Sequence, residues 1–319
     1  MVELTNEQTR QLIDVCHIFK AHRAARKLAR GSYRWKQARG HEYLTVTRQG
    51  KERSLGRRSP ETEALFERHQ RERETFRSTR DRLKEMARVN KALRLNRVPL
   101  MTVKILRALD EAELLGNSLF VIGTNAMYAY EAKAGVLFES GVLATQDFDL
   151  LWDAKKRIRL AASKVSPEGL LGVLKQADKS FSTADDYGMR AQNRDGYFVD
   201  LFCPDVQPPP EPIAPEDLEP IPDPANDWLV AAQKIDETVI GEDGLPVRIV
   251  CVDPRIFALH KAWLSKQESR QPRSRPRDIA QAKLAAAAAR DYLGLKMDQR
   301  LLRHLPQPLQ DAEALLAAV

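Results

Sequence analysis

Asp147 and Asp149 stand two apart in the run DFDLLW, and Asp200 stands in a second apolar run, YFVDLF. Residues at i and i+2 of a strand point to one face, so Asp147 and Asp149 can present two carboxylates together. Ionised carboxylates are costly to bury unless a cation or an edge position compensates them. Three of them in apolar strands suit one or two Mg2+ (or Mn2+) ions, because magnesium takes a few carboxylates and completes its shell with phosphate oxygens. A two-ion site can stabilise both the attacking and the leaving oxygens of a phosphoryl transfer. Upstream, the run LFVI stops at Gly123, and Thr124 and Asn125 open a helix-compatible stretch. Gly123 lets the backbone approach a phosphate, Thr124 can donate its hydroxyl, and a helix N-terminus offers free N–H groups. Asn125 can touch a phosphate or cap the helix. D-x-D and Gly-Thr are each common by chance, and their shared order along the chain carries the weight.

The elements that must position these residues follow from periodicity. Residues 119–122 and the run around 147–152 are predicted strands, and a third strand spans 197–202, after the turn Asn193-Arg194-Asp195-Gly196. An amphipathic helix over 101–115, ending at Gly116, precedes the first strand, and Ser166-Pro167-Glu168 opens another helix running to 178. Residues 204–224 hold nine prolines and predict an extended linker. Residues 228–240 and 247–252 predict one more hairpin, Asp253-Pro254 caps a helix over 256–266, and an alanine-rich helix runs from 278 to about 293.

The chain has 319 residues and a net charge of +7, with 30% charged and 43% hydrophobic residues, an ordinary globular balance. No apolar run approaches the roughly 20 residues that span a bilayer, and MVELTNEQTR lacks a signal-peptide pattern. A cytoplasmic location and no membrane partner are the expectation. Cys16, Cys203 and Cys251 are odd in number and without metal spacing, so they are expected to be reduced packing residues. The six histidines also lack metal spacing and receive no catalytic role.

The charge is unevenly spread. Residues 1–100 hold 25 Lys and Arg against 12 Asp and Glu, a balance of +13, and the remainder balances at −6. A basic N-terminal part suggests a polyanionic partner, nucleic acid before membrane, although a solvated Arg-rich helix surface would show the same charge. This part opens with a helix capped by Thr5. A β-hairpin or three-stranded unit over 31–56 follows, and then a long charged helix from Ser59-Pro60 to about residue 95. Arg34, Trp35, Lys36, Arg57 and Arg58 combine aromatic and cationic groups, as single-strand binding requires. The structural alternative makes Trp35 and Tyr43 the core of a small module.

The order strand, Gly-Thr, helix, strand with D-x-D and later strand with one Asp resembles the DNA polymerase β-like nucleotidyltransferase superfamily. Within it, VIGTNAMYAYEAKAGV, ATQDFDLLWD and GYFVDLFCP are most similar to a bacterial family of nucleotidyltransferase-fold proteins. Toxin nucleotidyltransferases of toxin–antitoxin systems are more distant relatives. The resemblance runs from about residue 101 to 290. It implies an α+β fold, a mixed-sheet core flanked by helices, with a basic N-terminal helix and β-hairpin module and a helical C-terminal part. The expected division is 1–98 for the basic module, 99–205 for the core and 206–226 for the Pro-rich linker. Residues 227–319 would form a C-terminal region completing the cleft.

The resemblance also implies roles. Gly123 and Thr124 would replace a Gly-Gly or Gly-Ser turn that holds the triphosphate, with Thr keeping the hydroxyl. Asp147 and Asp149 would ligate the metals, and Asp200 would be the third carboxylate, which helps deprotonate the acceptor hydroxyl. Lys261 would bind the leaving phosphates, Arg277 the base or acceptor, and Asp278 would support them, unless Asp278 is only a helix cap. The implied reaction moves a nucleoside monophosphate from an NTP to a hydroxyl and releases pyrophosphate. The basic first hundred residues favour RNA, tRNA included, as the acceptor, and the toxin relatives imply an antitoxin-like protein partner. The rival expectation is a nucleic-acid-binding protein whose transferase domain is a non-catalytic scaffold. A glycosyltransferase using D-x-D for a nucleotide sugar fits less well, because it leaves the Asp200 strand unexplained.

Overall fold

A computed structural model describes residues 1–48, 50–153, 169–184, 188–205 and 217–316. The chain divides into two compact units. One comprises Asn6–Asn96 with Asp243–Pro246, and the other Met1–Thr5, Arg97–Glu242 and Val247–Val319.

In the smaller unit, helix α1 (Asn6–Leu28) packs on helix α2 (Pro60–Ala92), and between them in sequence lie strands β1 (Ser32–Ala38), β2 (His41–Arg48) and β3 (Lys51–Arg57). The three strands form an antiparallel meander in which Trp35 pairs with Leu44. α2 starts where Ser59 and Thr62 close a capping box ahead of Pro60, which satisfies backbone N–H groups the first turn would leave unpaired. Its apolar face is sparse, so polar contacts join the helices. Gln8 donates to the Leu93 carbonyl at 2.9 Å, Gln11 to Asn90 Oδ1 at 2.8 Å, and His22 stacks on Phe76 at 4.7 Å.

The larger unit begins with α3 (Leu100–Glu111), β4 (Leu119–Ile122), α4 (Met127–Ala134) and β5 (Asp147–Trp152). It continues with α5 (Gly169–Ala177), β6 (Arg190–Gln192), β7 (Phe198–Cys203), β8 (Lys234–Ile240) and β9 (Pro246–Val252). Helices α6 (Pro254–Leu264) and α7 (Arg275–Ala287) follow. The fold is α+β, with a mixed eight-stranded sheet ordered β8, β9, β4, β5, β7, β6 and then the short strand Ser182–Thr183, while Ile221–Pro222 adds beside β7. β4 runs antiparallel to β5, β7 parallel to β5, and β6 antiparallel to β7. All four residues of β4 are buried, as expected for a central strand covered on both faces. Phe120, Phe148 and Phe257 lie in the core, with Tyr130 donating to the Val252 carbonyl at 3.0 Å. Truncating one of these rings to Ala costs about 3–5 kcal/mol.

Several expected boundaries move. α3 stops at Glu111 rather than near Gly116, because Glu113 turns left-handed (φ 59°) and the chain then buries both Leu114 and Leu115. The run from Trp228 begins as a short helix, Asn226–Ala231, and not as a strand. Lys234 Nζ donates to the carbonyls of Leu229, Val230 and Ala232, closing its C-terminal end. The expected opening of α5 at 166–168 and most of the Pro-rich stretch, 206–216, lie outside the described residues. No described helix is long and apolar enough to cross a membrane.

Candidate active site

Sheet register sets the site. Ile122 of β4 pairs with Asp149 of β5, Asp149 with Asp200 of β7, and Asp200 with Arg190 of β6. One level of the sheet therefore carries two carboxylates and a guanidinium, and Asp147 follows two residues away on the Asp149 face. Residues of one sequence run and of another fifty positions later meet because parallel pairing aligns the β5 and β7 aspartates.

Directly beyond β4, Gly123 adopts φ 65° and ψ −159°, a combination that essentially only glycine tolerates. Its missing side chain matters twice, because a Cβ there would overlap the Asp149 carboxylate. Thr124–Ala126 then forms a 3-10 turn that leads into α4. Thr124 Oγ1 accepts from Gln281 Nε2 at 3.1 Å, which leaves its own O–H free to donate. Asn125 has another task. It donates to the Asp147 carbonyl at 2.8 Å, accepts from Thr102 at 3.1 Å, and braces the start of β5 without lining the cavity.

That cavity, about 270 Å3, is lined by Gly123, Thr124, Asp147, Asp149, Asp200, Lys261 and Arg277 among others. A larger recess of about 570 Å3 shares Asp147 and Arg277 and is walled by Arg97, Tyr128, Ser140 and Phe198. Every carboxylate, Gly and Thr expected at the site is thus brought together, and so are Lys261 and Arg277. Asp278 lies behind them, fully buried. It accepts from Lys261 Nζ at 2.8 Å and from Arg270 Nε at 2.6 Å and Nη2 at 3.1 Å. Burial alone would push the Asp278 carboxyl up, but the Arg270 hydrogen bond and the Lys261 charge hold it below its usual range. Arg277 donates to the Ala144 carbonyl at 3.1 Å, while its Nε is buried with no partner among the described residues.

Charge shapes the cavity. Burial, and next the neighbouring charge of Asp147, push Asp149 up to about 7, against the opposing pull of Lys261. His260 also lines the cavity, where burial and then Lys261 lower its pKa to about 3, so it is a neutral imidazole. Asp200 is held bidentately by Arg190, Nε to Oδ1 and Nη2 to Oδ2 both at 2.6 Å, and this hydrogen bonding raises the Arg190 pKa. Asp147 accepts a short hydrogen bond from Thr145.

Among the described residues no group of three or more His, Cys, Asp or Glu side chains is arranged to hold a metal ion. Asp147 and Asp149 nonetheless fit a magnesium ion, which accepts one or two carboxylates plus substrate phosphates. Burial and, next, the Asp147 charge both raise the Asp149 pKa, and a bound cation would offset both. Asp200 lies on the next strand, with each of its oxygens accepting one hydrogen bond from Arg190.

Arg190 and Arg270 also line the cavity, and sequence patterns miss them. A signal for Arg190 exists in the turn before β7: counting five residues either way from Asp195 pairs 190 with 200. Of the residues expected to meet nucleic acid, Lys36 is paired with Glu52 at 2.7 Å, and Arg58 lies between Glu42 at 2.6 Å and Glu63 at 2.7 Å. Arg57 donates to the Tyr43 hydroxyl at 3.1 Å, Trp35 packs on Phe66 at 5.8 Å, and Arg34 is exposed.

A mixed α+β sheet carrying a glycine turn beside two strand aspartates, with a third on the next strand, is the framework of a nucleotidyl-transferring protein. Residues 100–305 match the nucleotidyltransferase family, and the chain belongs to it. Comparison with curated proteins found no match. Among solved structures, the chain is similar to an antigenic nucleotidyltransferase-like protein from Paracoccidioides brasiliensis, at 18% identity and a TM-score of 0.37. The similarity covers 68% of this chain and 87% of that one.

Proposed function

We propose that the protein is a Mg2+-dependent nucleotidyltransferase that moves a nucleoside monophosphate from an NTP to a hydroxyl of RNA, tRNA being one such acceptor. The observation that carries this is the convergence of Gly123, Thr124, Asp147, Asp149 and Asp200 on one cavity. Asp147 and Asp149 would hold the cation, which supplies charge neutralisation at the phosphates when bound. The Gly123 backbone and the free O–H of Thr124 would hold the triphosphate. Lys261 and Arg270, fixed by Asp278, add positive field at its side of the cavity, and the unpartnered Nε of Arg277 is free to meet a phosphate or base oxygen. The acceptor oxygen bonds to the α-phosphorus, the bond from that phosphorus to the bridging oxygen breaks, and pyrophosphate leaves with the electron pair. Asp200, once free of Arg190, would take the acceptor proton. Positioning and electrostatic preorganisation would do most of the catalysis. The larger recess, with Tyr128 and Phe198 as apolar walls, suits the acceptor.

With NTP and RNA as its substrates, the protein would act in the cytoplasm. If its target is an RNA that the cell needs, the enzyme is toxin-like and calls for an antitoxin-like partner, and growth arrest dependent on Asp147 is the readout. Binding without catalysis is favoured by one observation, the Arg190 clamp that occupies both oxygens of Asp200. Incubation with Mg2+, each labelled NTP and total RNA decides between them. Label should enter RNA with wild type and not with Asp147→Asn, whereas salt-dependent RNA binding with no NTP consumed would leave only the scaffold.

A further inference from the structure

In the smaller unit, Arg73, Phe76, Arg77 and Arg80 follow i, i+3, i+4, i+7 spacing and so share one face of α2. With Arg26 from the last turn of α1 and Arg30 just beyond it, they line an open cleft of about 460 Å3. No Asp or Glu is among the described residues lining it. Arg80 meets Asp81 at 3.1 Å, but both side chains are about half exposed, a pair worth little. The dipole of α1 accounts for a cation at its C-terminal turn. Arg73 to Arg80 lie in the middle of α2, where no dipole end reaches. Nearby, burial and then the charges of Arg26 and Arg80 lower the pKa of His22. Like charges gathered on one face repel one another, and an anion held among them relieves that repulsion.

We propose that this cleft binds the phosphate backbone of a nucleic acid strand, RNA under the function proposed above, on which reading the choice of RNA rests. Seven residues of helix separate Arg73 from Arg80, about 10 Å along the axis, a length over which a single strand presents more than one phosphate. A repeating anion therefore fits the stripe better than a single phosphate, and guanidinium groups match phosphate oxygens two at a time. Lys36 and Arg58 of the meander are already neutralised by glutamates, so on this proposal the contacts fall chiefly on Arg73 and Arg77 of the helical cleft.

The test is fluorescence anisotropy of a labelled single-stranded RNA with the full-length protein, without NTP, over a series of KCl concentrations. Arg73→Glu with Arg77→Glu should weaken binding tenfold or more and lower the slope of log K against log salt by about 1.4, near 0.7 per lost phosphate contact. Arg68→Glu with Arg71→Glu, the same charge change on another face of α2, should change affinity far less. If the glutamate variant loses its melting transition, Arg73→Gln with Arg77→Gln must show the same loss of slope. Unchanged affinity and slope in the cleft variants, or a wild type that prefers an acidic peptide to RNA, overturns the proposal. Label transfer from NTP, followed separately with the wild type, reports on the proposed reaction whatever the outcome at the cleft.

Discussion

Asp200 and Arg190 face each other across antiparallel strands, and both carboxylate oxygens are bound by the guanidinium at 2.6 Å. The Asp200 side chain is 5% exposed and that of Arg190 45%, so the arginine can leave for water more easily than the aspartate can do without a partner. On the proposed reading, the pair would act as a clasp over the third carboxylate.

Arg190→Gln should therefore do two things. Losing the partner of a buried carboxylate should cost about 1–3 kcal/mol in urea unfolding without metal. Freeing Asp200 to join Asp147 and Asp149 should tighten Mn2+ binding several-fold by calorimetry, and Mn2+ should return part of the lost stability. Weaker Mn2+ binding in the variant would contradict the clasp.

Asp149 makes stability depend on pH. Its folded pKa is about 7, above the ordinary 3.8, so the folded protein binds that proton more tightly than the unfolded chain does. Its contribution to stability therefore falls as pH rises from about 4 to 7 and is level above that, at roughly 1.4 kcal/mol per unit. Asp149→Asn should be the more stable protein at pH 8 in metal-free buffer, with the difference shrinking toward pH 5. A melting-temperature difference that does not change with pH would refute this.

Gly123→Ala tests the turn. Alanine at φ 65° and ψ −159° costs about 1–3 kcal/mol, and its Cβ would displace the Asp149 carboxylate. Expected are a lower urea midpoint and weaker Mn2+ binding together. Loss of stability with unaltered Mn2+ affinity would separate the turn from the cation site.

Asp278→Asn removes the carboxylate that forms ion pairs with both buried Lys261 and Arg270. Breaking such a buried pair costs about 3–5 kcal/mol. Adding Lys261→Met should recover part of that loss in the same unfolding measurement, and no recovery would show that Arg270 alone carries the interaction.

Much of the site is legible in the sequence, because an isolated aspartate in an apolar strand is too costly to be idle, and Gly123 interrupts such a strand abruptly. Asp147, Asp149 and Asp200 stand out on those grounds alone. Arg190 does not, because it is tied to Asp200 by register across β6 and β7, which only counting outward from the turn at Asp195 would reveal. Arg270 is likewise one of several basic residues in a loop, and only the fold returns it to Asp278. Asn125 looks like a phosphate ligand but is drawn away by Thr102 and the Asp147 carbonyl. Trp228 looks strand-like until Lys234 closes a helical turn around it. In the basic unit, the ring of Trp35 is spent on packing against Phe66, whereas the stripe of Arg73, Arg77 and Arg80 is plain in the spacing once α2 is known to be one helix.

The most direct test of nucleotidyl transfer is a matched count of pyrophosphate released and nucleoside monophosphate incorporated into RNA, with Mg2+, for wild type and Asp149→Asn. One pyrophosphate for each nucleotide incorporated by wild type, and neither product from the variant, is the predicted result. Inorganic phosphate in place of pyrophosphate, or undiminished incorporation by Asp149→Asn, would contradict it.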